Sequence, residues 1–182
     1  MGELMYSINV TVDGCCDHRV GLISEELHRH HAHNLARADG LIFGRTTYEM
    51  MEDAWRRPDG DTTPPEDLDP FVAAIDPARK YLVSSTRKTA EWNTEIIRGD
   101  LASAIRRLKE ESETGLIVGG VTLPRGLAEL GLIDVYEFVV HPIIAGHGPY
   151  VFAGLAEVVD LVPDGRGELP SGHAVLRFRP MR

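Results

Sequence analysis

GLIVGGVTLPRGL, residues 115–127, is the stretch whose reading decides the fold. Leu116, Ile117 and Val118 make a short apolar strand, Gly119 and Gly120 follow, and Thr122 and Pro124 open an amphipathic helical pattern that runs through Leu127 and Leu130. The order is strand, tight turn, helix. Adjacent glycines let the backbone turn sharply and approach a ligand with no Cβ in the way. The helix start beyond them presents unpaired N–H groups and the positive end of its dipole, which suits a phosphate. Thr122 is the expected N-cap, and Pro124 falls in the first turn, where its missing N–H costs nothing. A Gly-Gly turn is also ordinary in α/β proteins, and this one is neither a full dinucleotide fingerprint nor a P-loop.

Two other stretches repeat the theme. GLIFG (40–44) reads as a buried strand, and Arg45, Thr46, Thr47 and Tyr48 open a helix in which Thr46 and Glu49 have capping-box spacing. Arg45 adds a cation where an anion would sit. KYLV (80–83) is a strand that runs into the polar, basic loop Ser84, Ser85, Thr86, Arg87, Lys88. Around these, LMYSINVTV (4–12) is a first strand ending at the turn signal Asp13-Gly14, and Ser24 with Glu25 and Glu26 starts a helix expected to reach about Arg37. Residues 56–69 read as a surface loop, a short helix follows Pro70, residues 95–97 are a brief strand, and Asp100 caps a helix carrying Leu101, Ile105 and Leu108. The run 133–144 is β-rich, with Pro142 favouring an edge or bulge. Residues 157–162 and 173–178 form a terminal hairpin.

Alternating strands and helices predict one domain over residues 1–182, a three-layer α/β/α sandwich with a mostly parallel sheet and an antiparallel C-terminal hairpin. The loops after Phe43, Val83 and Val118 then share the carboxyl edge of the sheet, where such folds bind ligands.

A net charge of −9 argues against a nucleic-acid partner, so an anionic ligand must be held by local groups. No apolar run approaches the length of a membrane span, and MGELMYSINV lacks the features of a signal peptide, which makes the cytoplasm the expected location. Cys15 and Cys16 are neighbours and offer neither a disulfide framework nor zinc-ligand spacing. His28, His30, His31 and His33 cluster on the first helix. Pairs three apart share a face, yet the four rings point in different directions and there is no HExxH, so no metal site is assigned.

Thr11-Val12-Asp13-Gly14, Leu41 to Tyr48, Ser84 to Arg87, Ile117 to Gly120, Leu132-Ile133-Asp134 and His141 to Gly148, taken in this order and spacing, carry a family resemblance. The chain resembles the dihydrofolate reductase-like family, and within it the reductase domain of riboflavin-biosynthesis deaminase-reductases and their stand-alone relatives. The resemblance covers the chain from the first strand through Phe178. It implies NADPH as cofactor, with the pyrophosphate between Gly44, Arg45, Thr46, Thr47 and Gly119, Gly120, Val121, Thr122, Leu123, and the 2′-phosphate at Ser84, Ser85, Thr86 and Arg87.

It also implies hydride transfer to a small heterocyclic substrate, either 5-amino-6-(5-phosphoribosylamino)uracil or a pterin-like compound, by a homodimer paired through its terminal β region, where the run 135–144 is apolar. Asp13 is the first candidate for a substrate-facing catalytic group, with capping of the Asp-Gly turn as its structural alternative. His18 is a candidate proton donor. The carboxylate that dihydrofolate reductases carry on their first helix has no secure match, with Asp17, Glu25 and Glu26 as nearby candidates. The deaminase motifs H-x-E and P-C-x-x-C are absent from the sequence. A non-catalytic nucleotide-binding module of the same fold is the alternative.

Overall fold

A computed structural model describes residues 1–181. Its strands are β1 (Leu4–Thr11), β2 (Gly40–Gly44), β3 (Lys80–Val83), β4 (Thr94–Ile97), β5 (Leu116–Val118), β6 (Val135–His141), β7 (Leu161–Glu168) and β8 (Ala174–Pro180). The helices are α1 (Glu25–Leu35), α2 (Arg45–Trp55), α3 (Pro70–Ile75), α4 (Leu101–Glu111) and α5 (Thr122–Glu129), with a 3-10 turn at Pro65–Asp67. The sheet has eight strands in the order β4-β3-β2-β5-β1-β6-β8-β7. Strands β4 through β6 in that order run parallel, and β8 and β7 add an antiparallel end.

Side-chain alternation sorts the core into two layers. Leu4 and Tyr6 of β1 join Ile42, Val118 and Tyr136 beneath Ile105 and Leu108 of α4 and Leu127 of α5. On the other face Leu41, Phe43 and Ile117 pack with Tyr48 of α2 and Ile75 of α3, while Leu27 of α1 meets Val139 and Val175. The result is the sandwich expected from the alternating pattern, with α1, α2 and α3 on one side and α4 and α5 on the other.

Buried polar groups fasten α1 to the sheet. The fully buried Glu137 carboxylate accepts from Ser7 Oγ (2.8 Å), Asn34 Nδ2 (2.7 Å) and Arg177 Nε (2.7 Å), and pairs with His30 Nε2 at 3.1 Å. Burial alone would raise its pKa. The His30 bond and the Arg177 charge outweigh that and hold it at about 2.

Several local expectations differ. Thr46 and Glu49 form no capping box, because Gly44 is the N-cap of α2 and supplies no side chain. Thr122 is the first residue of α5 rather than its cap, a place taken by Val121. β6 ends at His141, which leaves Pro142 outside the ladder, and it lies between β1 and β8. Residues 135–141 are therefore an inner strand with both edges paired inside the chain. β7 begins at Leu161, later than the expected 157, and extends to Glu168, accommodating Pro163 through a register irregularity on the outermost strand, where a missing N–H is tolerated.

Candidate active site

The short β5 makes the site. Its ladder with β1 ends at Tyr6↔Val118 and its ladder with β2 at Ile42↔Val118, and the chain then leaves the sheet through Gly119 and Gly120. Between the longer β1 and β2 this opens a notch at the carboxyl edge, the point where strand order changes hand.

The rims of the notch are the N-termini of α2 and α5, and the two are in contact. A Cβ on Gly120 would collide with Thr47 Oγ1, one on Gly119 would lie 2.9 Å from the Phe43 ring, and one on Gly44 would lie 3.7 Å from Leu123 Cβ. Gly120 also sits at φ +99, a conformation that side chains rarely adopt. Tyr6 Oη, buried beneath, donates to the Gly120 carbonyl at 2.9 Å and fixes the turn from below. Burial pushes the Tyr6 phenol pKa far above its ordinary range, with Cys16 adding to the effect, so it remains a donor.

Capping separates these two helices from the others. The starts of α1, α3 and α4 are capped by Ser24, Asp69 and Asp100, whereas α2 and α5 have neither a side-chain cap nor an acidic residue in the first turn. Their orphan N–H groups and dipole ends therefore face the same gap. Glycine at both turns, open helix ends and no competing carboxylate fit the paired phosphates of a dinucleotide.

Beside Arg45 a cavity of about 390 Å³ is lined by Ser84, Ser85, Thr86, Arg98 and Gly99. Ser84 Oγ is spent on the turn, accepting from Arg87 N at 3.1 Å, which leaves Ser85 and Thr86 exposed. Arg87 points elsewhere. Its guanidinium pairs with Glu49 (3.2 Å) and Glu52 (3.4 Å) over the Tyr48 ring and lines a different cavity of about 570 Å³. The cation that joins Arg45 is Arg98, which the sequence reading missed. One residue after β4, it reaches the cavity only because β4 pairs with β3.

The two candidate catalytic residues are placed differently. Asp13 accepts from Thr11 Oγ1, Ala145 N (3.0 Å) and Gly146 N (2.8 Å), which clamps the end of β1 to the loop after β6. Those bonds, the Thr11 hydroxyl foremost, lower its pKa to about 2. The His18 side chain is 67% exposed, with Nδ1 4.0 Å from Asp17. Asp17 itself is held by the Arg19 guanidinium and backbone. The loop carrying them is tied down at Leu22, whose N–H donates to His141 Nδ1 (3.1 Å) and whose carbonyl accepts from His173 Nε2 (3.1 Å).

The histidines of α1 part company. His28 bonds Asp69 (2.6 Å), His30 bonds Glu137 (3.1 Å), His31 bonds Asn9 (2.9 Å), and His33 is exposed. No cluster of metal-ligating side chains forms among the described residues.

This strand order and notch define a dihydrofolate reductase-like fold. Enterococcus faecalis dihydrofolate reductase complexed with NADP(H) superposes with a TM-score of 0.63 at 15% identity, over 100% of this chain and 98% of that one. A protein of Shewanella sp. PV-4, provisionally ascribed to riboflavin biosynthesis, gives 0.75 at 18% identity, covering 99% of both chains. Acinetobacter baumannii RibD gives 0.71 at 12% identity, over 100% of this chain and 58% of that one. The RibD C-terminal domain profile matches residues 3–162, and the chain belongs to that family. Among curated proteins it is similar to YyaP of Bacillus subtilis (strain 168), itself uncharacterized, at 21% identity over 128 residues, which is 70% of this chain and 66% of that protein.

Proposed function

We propose that the protein is an NADPH-dependent oxidoreductase of the pyrimidine-reductase type, acting on a small heterocyclic substrate. The observation that carries this reading is the pair of uncapped helix N-termini meeting across Gly120 and Thr47, with Arg45 and Arg98 in the adjoining cavity. When bound, NADPH supplies a hydride to a C=N or C=O carbon. The chain's own residues do the rest. The α2 and α5 N–H groups hold the pyrophosphate, while Arg45, Arg98, Ser85 and Thr86 receive the 2′-phosphate. Tyr6 keeps Gly120 in place. The heteroatom of the reduced bond takes its proton from solvent, because Asp13 is ionised and bonded to backbone amides. Reduction of a phosphoribosylaminouracil and reduction of a pterin both suit this arrangement, in a homodimer paired through the terminal β region and a reducing, cytoplasmic setting.

Cofactor titration followed by NADPH fluorescence tests the reading. Saturable NADPH binding is expected, with NADH weaker. Arg45→Ala and Arg98→Ala should each weaken NADPH about tenfold, the loss of one charge-assisted hydrogen bond, and leave NADH unchanged. No saturation at millimolar NADPH would overturn it. Cofactor binding without oxidation by any pterin, aminouracil or quinone would favour the non-catalytic module instead.

A further inference from the structure

The notch has a floor that the cofactor residues do not use. Beyond Tyr6 the β5 side of β1 has no neighbouring ladder, and Asn9, on an inner strand of the sheet, is exposed there. Its Oδ1 lies 2.9 Å from His31 Nε2, and its exposed Nδ2 has no bond to any described residue. With the ring proton of His31 on Nε2, Oδ1 is the acceptor and Nδ2 is the donor left for a ligand. His31 is set by the edge of Phe71, 6.2 Å away, and burial, with His30 beside it, lowers its pKa to about 4. The ring is neutral at ordinary pH and carries one N–H.

Five carboxylates of the surrounding segments are bonded elsewhere. Asp13 bonds the 145–146 backbone, Asp17 bonds Arg19, Asp69 bonds His28 and Phe71 N, Glu25 bonds Arg29, and Glu137 is enclosed by its four partners. Asn9 and His31 are themselves polar and uncharged, and the Glu137 charge behind them is matched by Arg177. An amide donor satisfies a carbonyl of a neutral ring, whereas a cationic amidine edge brings donors against a donor and leaves both unpaired.

We propose that Asn9 is the specificity-determining contact of this site, reading a neutral, amide-like edge of the substrate ring, and that His31 is the residue that positions it. This rests on the reductase reading for where the substrate lies. The test uses two probes in mildly acidic buffer, 5-aminouracil as the neutral ring and 2,4-diaminopyrimidine as the cation, titrated calorimetrically into NADPH-saturated and cofactor-free protein. Wild type should bind 5-aminouracil at least tenfold more tightly than the cation. Asn9→Ala should remove about tenfold of that affinity, and Asn9→Asp should reverse the order of the probes. His31→Phe, which keeps the ring against Phe71, should weaken 5-aminouracil by less than Asn9→Ala does. All three variants should keep their NADPH affinity within twofold. Equal binding of the two probes, an Asn9→Ala variant that binds like wild type, or failure of both probes to bind overturns the proposal. Loss of NADPH binding alone sinks the reductase reading, and the probe order on cofactor-free protein then decides this one.

Discussion

Replacing Gly120 with alanine is the sharpest test of the notch. At φ +99 an L side chain is strained, by roughly 1–3 kcal/mol for a residue held in a sparsely populated backbone region. The new Cβ would also overlap Thr47 Oγ1 and approach Thr47 Cβ to 3.3 Å. Rotating Thr47 off its rotamer relieves the overlap at about 0.5–1.5 kcal/mol. The two together destabilise by about 1.5–4.5 kcal/mol, a fall in thermal midpoint of roughly 3–18 °C for a chain of this size. A Thr47→Ala background removes the overlap and leaves the backbone strain, so the second substitution should recover only the smaller share. NADPH affinity should fall at least tenfold in Gly120→Ala, because the methyl group fills the space between the two helix starts. Differential scanning fluorimetry and cofactor titration on the four proteins of the cycle measure both effects. A Gly120→Ala variant with unchanged midpoint and unchanged NADPH affinity would refute the geometry on which the site is built.

Two further outcomes follow from the buried polar groups. Glu137→Gln removes the charge facing Arg177 and His30 and turns an amide donor toward donors, which should cost about 3–5 kcal/mol in a urea titration. NADPH affinity should stay unchanged, and a variant as stable as wild type would show that the network is not a clamp. Burial, together with His173 beside it, depresses His141 to about 4, below the ordinary value, so between about pH 6.5 and 4 the unfolded chain binds the proton that the folded one refuses. Stability should therefore be intact above about pH 6.5 and fall as pH drops through that window, by on the order of 3 kcal/mol at most for this residue. His31 adds in the same direction. His141→Gln should flatten the slope of urea midpoint against pH, and an unaltered slope would remove His141 as its source.

Local pattern carries much of this protein. The strand, glycine and helix order at 115–127 and its echo at 40–48 are chain-local signals, because periodicity and glycine placement act over one or two turns. They sufficed to read the three-layer sandwich, its parallel sheet and its antiparallel end. Cap identities were less legible. Thr46 and Thr122 have the right chemistry for caps, yet the glycine turns start each helix at Arg45 and Thr122, and neither start is closed by a side chain.

What tertiary structure alone decided is which side chains meet. Arg87 and Arg98 are equally basic in the sequence, but the β3–β4 ladder brings Arg98 to the cavity with Arg45, while Glu49 and Glu52 on α2 take Arg87. Asn9 is one polar residue in a strand, and that it is exposed and placed against His31 of α1 shows only in the folded chain. The four histidines of α1 are a single cluster in sequence, but in space His28, His30 and His31 take separate partners and His33 is exposed. Periodicity fixes which residues share a face, but partners, burial and net local charge depend on contacts between distant segments, and those exist only after the sheet has assembled.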